Sequence, residues 1–371
     1  MKSSQPKIFI TPWIDLNAKD IDKCFQAGAD SARIHTGKLQ APKINELIAY
    51  YSSRKHKFYL DLTGNKPRVQ EIIHCNNHQE CEIGDLVLFT TKNSTKAPGK
   101  FEHQISSDFF PEALKETDSG DLNMDDGNLS FQIEKIVKNK TQIDYIITRV
   151  VHNQEKYVFP RDGISSKNIT MHSRHKNVLT VSDLEILTNI PKNLRSKINR
   201  IVISFCETKT HIIQAEQQIR AIGYQNFMLV PKVETVLGIQ NLNQICLALK
   251  LLYCPKAELQ IGRGDLSQDS MRGENTYDYR KLVDQAITIA QRHRVKIAIL
   301  ALTLRSSKEK FRSNRQTTDL APSAADIAGI QHLCKANIDQ IGLTNDMYLD
   351  QPERIVRILR EVIEGSKNIR I

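Results

Sequence analysis

The chain has 371 residues, of which 40% are hydrophobic and 25% charged, so at ~150 residues per domain it is far longer than one average unit. That excludes a small disulfide module, a lone binding motif and a disordered chain, and it leaves room for a large barrel, alone or with an insertion. Fifty-two Lys plus Arg against 42 Asp plus Glu give a net charge of +10, which favours acidic ligands without choosing among nucleic acid, a phosphorylated metabolite and an anionic membrane. The seven cysteines are scattered and odd in number, and the first residues lack the apolar core of a signal peptide. No apolar run approaches the roughly 18 residues of a membrane span, so a cytoplasmic protein is expected.

In chain order, β-rich runs alternate with amphipathic helical stretches. Strand Lys7 to Ile10 precedes a helix around Asp20 to Ala29, strand Ala32 to Ile34 a helix around Lys43 to Ser53, and Phe58 to Asp61 forms a third strand. The rhythm then changes. From about Lys66 the sequence reads as strands and turns: Glu82 to Thr90, an Asp125-Asp126-Gly127 turn before Leu129 to Ile133, Ile143 to Val151, and Lys156 to Pro160. Residues 66–168 are therefore expected to be an all-β insert between barrel segments 1–65 and 169–371. The alternation resumes with a Thr-capped helix from Thr180. Strands follow at Arg200 to Phe205, Asn226 to Val230, Glu258 to Ile261, Lys296 to Ala301 and Gln340 to Leu343, separated by helices at Thr210 to Ile222, Gly238 to Leu252, Tyr277 to His293 and Ser323 to Lys335, with Pro352 to Glu364 last. Three strands before the insert and five after it argue for a (β/α)8 TIM barrel with an all-β lid after strand 3. The competing doubly wound sheet lacks a Gly-rich turn after its first strand.

Barrel chemistry sits at the C-terminal ends of strands, and there the sequence places Arg33, His35, Asp61, Ser204, Glu207, Lys232, Glu234, Arg263, Asp265, Thr344 and Asp346. Bases among carboxylates suit a divalent cation holding an anionic substrate, with hard oxygen ligands from Glu234 and Asp265. Lys232 and Glu234 alternate on one strand, so they share a face.

Pro231-Lys232-Val233-Glu234-Thr235 with Gly238, Asn241 and Ile245, followed by Gly262-Arg263-Gly264-Asp265-Leu266, resembles the pyruvate kinase family. Arg33, the run Leu60-Asp61-Leu62-Thr63-Gly64, Arg68, Asp125-Asp126-Gly127, Leu179 to Asp183 and Ser204-Phe205 extend the resemblance along nearly the whole chain. It implies Mg2+ or Mn2+ on Glu234 and Asp265, and phosphoenolpyruvate contacts from Arg33, Ser204, Lys232, Gly264, Asp265 and Thr303. Arg33 and Lys232 would be catalytic, and Arg68 and Lys167 would face a nucleotide in the lid. Its partners would be a phosphorylated small molecule and a nucleotide, without membrane or nucleic acid, in a chain compatible with a homo-oligomer. The sequence stops at Ile371, where pyruvate kinases continue into a C-terminal α/β domain.

The departures are specific. His35, Gly37 and Leu62 replace three of the family's four potassium ligands, so K+ dependence is not expected, and Leu302 stands where a substrate-contacting threonine is usual. Thr63-Gly64-Asn65-Lys66 and Leu320 to Ser323 also depart from family motifs. Specialised rather than central metabolism is the expected setting. Two alternatives use the same residues. One is a metal-dependent HpcH/HpaI-like aldolase or lyase acting on a 2-oxo acid through a pyruvate enolate, with His35 assisting proton transfer. The other is an inactive ligand-binding pseudoenzyme. His74, Cys75, His78 and Cys81 lack the paired short spacers of a zinc site and read as a lid turn.

Overall fold

The first strand, β1 (Lys7–Ile10), pairs in parallel with both β2 (Ser31–His35) and β14 (Gln340–Gly342), and this double pairing closes a barrel. The remaining staves are β3 (Lys57–Asp61), β10 (Arg200–Ile203), β11 (Met228–Val233), β12 (Glu258–Gly262) and β13 (Lys296–Leu300), in the order β1-β14-β13-β12-β11-β10-β3-β2. The protein is seen here as a computed structural model that describes residues 5–11, 18–64, 66–74, 80–91, 99–107, 120–124, 129–139, 142–153, 158, 164, 178–271, 277–300, 324–343 and 352–368. It divides into two units: Met1–Gly64, Asn177–Leu266 and Asp278–Ile371 form the first, and Asn65–Lys176 with Ser267–Tyr277 the second. The (β/α)8 barrel expected from the alternation is present in the first unit.

Its strands are short and almost wholly buried because both faces are covered, by barrel interior on one side and helices on the other, and several carry buried polar residues, Arg33, Lys232 and Gln260 among them. Between strands lie α1 (Ala18–Gln26), α2 (Ala41–Ser53), α3 (Val181–Asn189), α4 (Lys192–Arg195), α5 (Lys209–Ala221), α6 (Val236–Gln240), α7 (Leu242–Tyr253), α8 (Arg263–Ser270), α9 (Tyr279–Arg292), α10 (Ala324–Lys335) and α11 (Pro352–Asn368). In α9 the buried residues Leu282, Val283, Ala286, Ile287, Ile289 and Ala290 make one stripe, each large one worth about 1.5–3 kcal/mol of burial. The Asp278 carboxylate caps the start, accepting from the amides of Arg280 and Lys281. The single helix expected over Gly238 to Leu252 is instead two, α6 and α7, with Asn241 between them.

The lower interior of the barrel is polar. Tyr59 hydroxyl donates to Glu258 Oε1 at 2.6 Å, Gln340 Nε2 donates to the same oxygen at 2.8 Å, and Arg200 Nε lies 3.3 Å from Glu258 Oε2. One layer higher, Gln260 is fully buried, yet neither end of its amide finds a hydrogen-bond partner among the described residues. An unmet buried amide costs about 1–3 kcal/mol, and an apolar residue of the same shape removes that cost. Gln260→Met is therefore expected to raise the midpoint of thermal unfolding by about 2 °C or more, read by calorimetry. A fall instead would mean that the amide holds a buried water.

The second unit contains a six-stranded sheet in the order β4-β6-β5-β9-β8-β7, from β4 (Val69–His74), β5 (Leu86–Thr91), β6 (His103–Ser107), β7 (Asp121–Met124), β8 (Leu129–Asn139) and β9 (Gln142–Asn153). Val69, Val87, Phe89, Ile105, Leu122, Phe131 and Ile146 are among its core residues, with the Phe89 and Phe131 rings edge to face at 5.2 Å. The sequence reading passed over β4, β6 and β7. In β6 the inward positions are His103, Ile105 and Ser107, so only one of three is apolar and the period-2 signal is lost. The strand expected from Glu82 begins at Leu86. The Asp125-Asp126-Gly127 turn and most of the Lys156 to Pro160 run lie outside the described residues, as do Cys75 and His78; His74 ends β4 and Cys81 is buried in this unit's core.

Candidate functional site

Near the ends of β2, β3 and β11 the side chains of Arg33, His35, Asp61, Lys232 and Glu234 meet. At the centre is Asp61, which is fully buried at the end of β3. It accepts from Arg33 Nε, and Lys232 Nζ donates to its Oδ2 at 3.2 Å and Oδ1 at 3.3 Å. His35 Nδ1 lies 3.9 Å from the same carboxylate. Burial alone would raise the Asp61 carboxyl, but Arg33 and Lys232 outweigh it and hold the group below its ordinary value. The strands explain the convergence: Arg33 and His35 alternate on β2, and His35 is in register with Asp61 on β3.

Lys232 also lies 3.6 Å from Glu234 Oε1. The other carboxylate oxygen, Oε2, accepts from the amide of Phe205 at 3.1 Å. Phe205 adopts φ +54°, a conformation uncommon for a non-glycine residue, at the turn just beyond β10. Burial pushes Glu234 up to about 7; Lys232 opposes this, and the neighbouring charges of Asp265 and Asp61 add to it. Glu234, with Asp265 near enough to add to its rise, offers hard carboxylate oxygens of the kind that suit a divalent cation.

The exit of β3 is locked by Asp183, whose carboxylate accepts from the amides of Thr63 at 2.9 Å and Gly64 at 3.3 Å while closing a capping box with Thr180 at the start of α3. Gly64 has φ +68°, and a Cβ there would lie 2.7 Å from Ser204 Cβ, so the turn requires glycine. Ser204, expected as a substrate contact, donates its hydroxyl to Leu62 O at 2.7 Å. Glu207 turns its carboxylate to the Thr235 hydroxyl at 2.8 Å and its amide to His211 Nδ1 at 3.2 Å, while burial lowers the His211 imidazole.

Gly262 ends β12 and α8 starts immediately, with Gly264 and Asp265 in its first turn. No helix was expected at this place. First-turn amides of a helix have no intrahelical acceptor and the helix dipole is positive there, and Gly264 and Asp265 lie in that turn. Arg263, expected among the cations of the mouth, instead donates Nε to the Tyr279 hydroxyl at 2.6 Å. Arg68 belongs to the second unit, and Lys167, Leu302, Thr303, Thr344 and Asp346 lie outside the described residues. Sequence reasoning missed the Phe205 amide as a support of Glu234. It quoted Asp183 without a role, although the Thr180/Asp183 spacing carries a capping signal.

A cation held by Glu234 would have to displace its proton, and on that assignment Mn2+ affinity is expected to fall roughly tenfold per pH unit below the Glu234 value of about 7. Titration calorimetry near pH 6 in buffers of different ionisation enthalpy should show about one proton released per ion bound. A pH-independent affinity would contradict the assignment.

The family model for the pyruvate kinase barrel domain matches residues 17–301. A search of curated proteins finds no match. Among solved structures, the crystal structure of Cryptosporidium parvum pyruvate kinase is similar in fold, with a TM-score of 0.71 at 17% sequence identity over 98% of this chain and 71% of that one.

Proposed function

This chain belongs to the pyruvate kinase family, and from that premise we propose that it moves a phosphoryl group between phosphoenolpyruvate, or a related enol phosphate, and a nucleotide. The observation that carries the proposal is the placement of Lys232, a buried ammonium between Asp61 at 3.2 Å and Glu234 at 3.6 Å. A loose phosphoryl transition state spreads charge over its equatorial oxygens, and fixed cations placed beforehand stabilise it without reorganisation. Arg33 and Lys232, held in one place by Asp61, are suited to that work. The amides of Gly264 and Asp265 at the start of α8 would orient the substrate carboxylate, with Ser204 and Thr303 as further substrate contacts and Arg68 and Lys167 as nucleotide contacts. Mg2+ or Mn2+ held by Glu234 and Asp265 would supply neutralisation of phosphoryl and enolate oxygens.

Asp61 faces Arg33 and Lys232, and His35, Gly37 and Leu62 stand where the family has three of its four potassium ligands, so activity is expected without K+. Among the described residues no helix is long and apolar enough to cross a membrane, in keeping with small-molecule partners. A cytoplasmic setting in specialised metabolism belongs to the same proposal.

The test is pyruvate release from phosphoenolpyruvate across a panel of nucleoside diphosphates, with and without K+, comparing wild type with Glu234→Ala. Turnover that survives K+ removal and is lost in the variant is the expected result. The position of His35 beside Asp61 favours a second reading, a metal-dependent aldolase or lyase of the HpcH/HpaI type. Cleavage of 4-hydroxy-2-oxo acids, with no transfer to any nucleotide, would decide for it. Tight phosphoenolpyruvate binding with no turnover at all would indicate a binding protein.

A further inference from the structure

In a parallel barrel every loop that leads from a helix into a strand lies at the end opposite the candidate site, so the residues that open the strands share one face. Lys7, Lys57, Arg200 and Lys296 are the first residues of β1, β3, β10 and β13, and the three lysines are exposed. Lys55, Lys197, Lys256 and Arg294 add exposed cations just before β3, β10, β12 and β13. The carboxylates of these entry loops are turned to other work. Asp30 accepts from the amide of Ile8 at 2.8 Å and Asp339 from that of Ile297 at 3.0 Å, while Glu258 is 1% exposed. Two exposed acids, Glu361 and Glu364, stand to one side in α11, whose Arg360 donates to Gly28 O. The net charge of +10 is thus unevenly placed.

Helix C-termini point to this end, and cations in a last turn offset their dipoles. That does not account for Lys7, Lys57 and Lys296, which open strands. Followed around the barrel, the cations enter with β1, β13, β12, β10 and β3, a ring and not a line, so a flat anionic surface can meet them together where a single row of phosphates cannot. The last turn of α7 brings apolar side chains to the same end, Leu251 at 87% exposure and Leu252 at 43%. Among the described residues this end exposes no aromatic ring on which a base could stack. Basic residues beside exposed leucines suit an anionic bilayer, which offers headgroups to the first and the acyl boundary to the second. We propose that this end of the barrel is a docking face for an anionic lipid bilayer, with the ring of Lys and Arg on the headgroups and Leu251 seated below them. The inference does not rest on the proposed reaction, and for this end of the barrel it replaces the expectation of partners without a membrane.

Sedimentation of the full chain with phosphatidylcholine vesicles, with and without phosphatidylserine, at physiological salt tests this. Binding is expected only where phosphatidylserine is present. The double variant Lys57→Gln/Lys296→Gln should lower it by about thirtyfold, the loss expected for two basic side chains near an anionic lipid surface. Lys209→Gln/Lys281→Gln removes the same charge from exposed positions in the first turns of α5 and α9, at the other end of the barrel, and should change binding by no more than a few-fold, because salt screens charges so far from the bilayer. Leu251→Ser should weaken binding several-fold through lost apolar contact. Equal losses in the two lysine pairs would mean that net charge alone acts and would overturn the face, as would binding to phosphatidylcholine alone or to neither vesicle. Unaltered binding in Leu251→Ser would overturn the seating of that leucine. Retention of an RNA or DNA duplex at physiological salt, without binding to vesicles, would give the face to nucleic acid and overturn the proposal equally.

Discussion

Lys232→Met should lower phosphoryl transfer by about a hundredfold to a thousandfold, the range found when one preorganised charge-stabilising donor is removed from an active site. Methionine keeps an unbranched stem of similar volume, and Asp61 keeps its bond from Arg33, so the fold should persist. Two consequences separate this from loss of structure. First, kcat and kcat/KM should fall together, because the ammonium acts on charge that develops in the transition state. Second, Glu234 loses the charge that most opposes its rise and keeps the Phe205 amide, so metal binding should move to higher pH. Lys232→Arg is not expected to rescue, since a planar guanidinium cannot take the position of a compact ammonium 3.2 Å from Asp61 and 3.6 Å from Glu234. Steady-state kinetics with a thermal melt of each variant would check this; turnover within a few-fold of wild type in Lys232→Met would remove the lysine from the chemistry.

Much of the barrel was legible because its strands are short apolar runs set between capped amphipathic helices, and burial of both strand faces leaves that signal in the sequence. The Thr180 cap and the stripe of α9 are examples where local chemistry and packing agree. The second unit was less legible, since strands such as β6 bury His103 and Ser107, and polar residues satisfied inside a small sheet erase the alternation. In the site, residue types at strand ends pointed to Arg33, Asp61, Lys232 and Glu234, because position along a barrel strand is itself a functional signal. What could not be read was connectivity. Nothing in the sequence says that Asp61 ties Arg33 to Lys232, that Ser204 gives its hydroxyl to Leu62, or that Arg263 turns to Tyr279. Those outcomes depend on which side chains meet across strands far apart in the chain.

That connectivity makes Asp61→Asn the most costly substitution for the fold. Asparagine matches the volume of aspartate but leaves Arg33 and Lys232, both about 5–6% exposed, as adjacent like charges whose shared carboxylate is gone, with Glu234, 3.6 Å from Lys232, the remaining acid named beside them. Breaking a buried pair by removing one partner typically costs about 3–5 kcal/mol, and here one carboxylate serves two cations. The pH dependence fixes the sign. Asp61 has a folded value below its ordinary 3.8, so its contribution is fully present above 3.8 and is lost as pH falls through the lower folded value. Glu234 runs the other way: its folded value of about 7 lies above the ordinary 4.5, so its contribution is present below 4.5 and lost as pH rises through about 7. The stability gap between wild type and Asp61→Asn should therefore narrow as pH rises towards about 7, because Asp61 is one of the charges that raise Glu234 and the variant's Glu234 ionises earlier, and the share due to Asp61 itself should be lost on acidification below the ordinary aspartate range. Urea unfolding at pH 7 and at successively lower pH measures it directly. A gap under about 1 kcal/mol at pH 7, within the range of an exposed ion pair, would mean that Asp61 does not hold the two cations together.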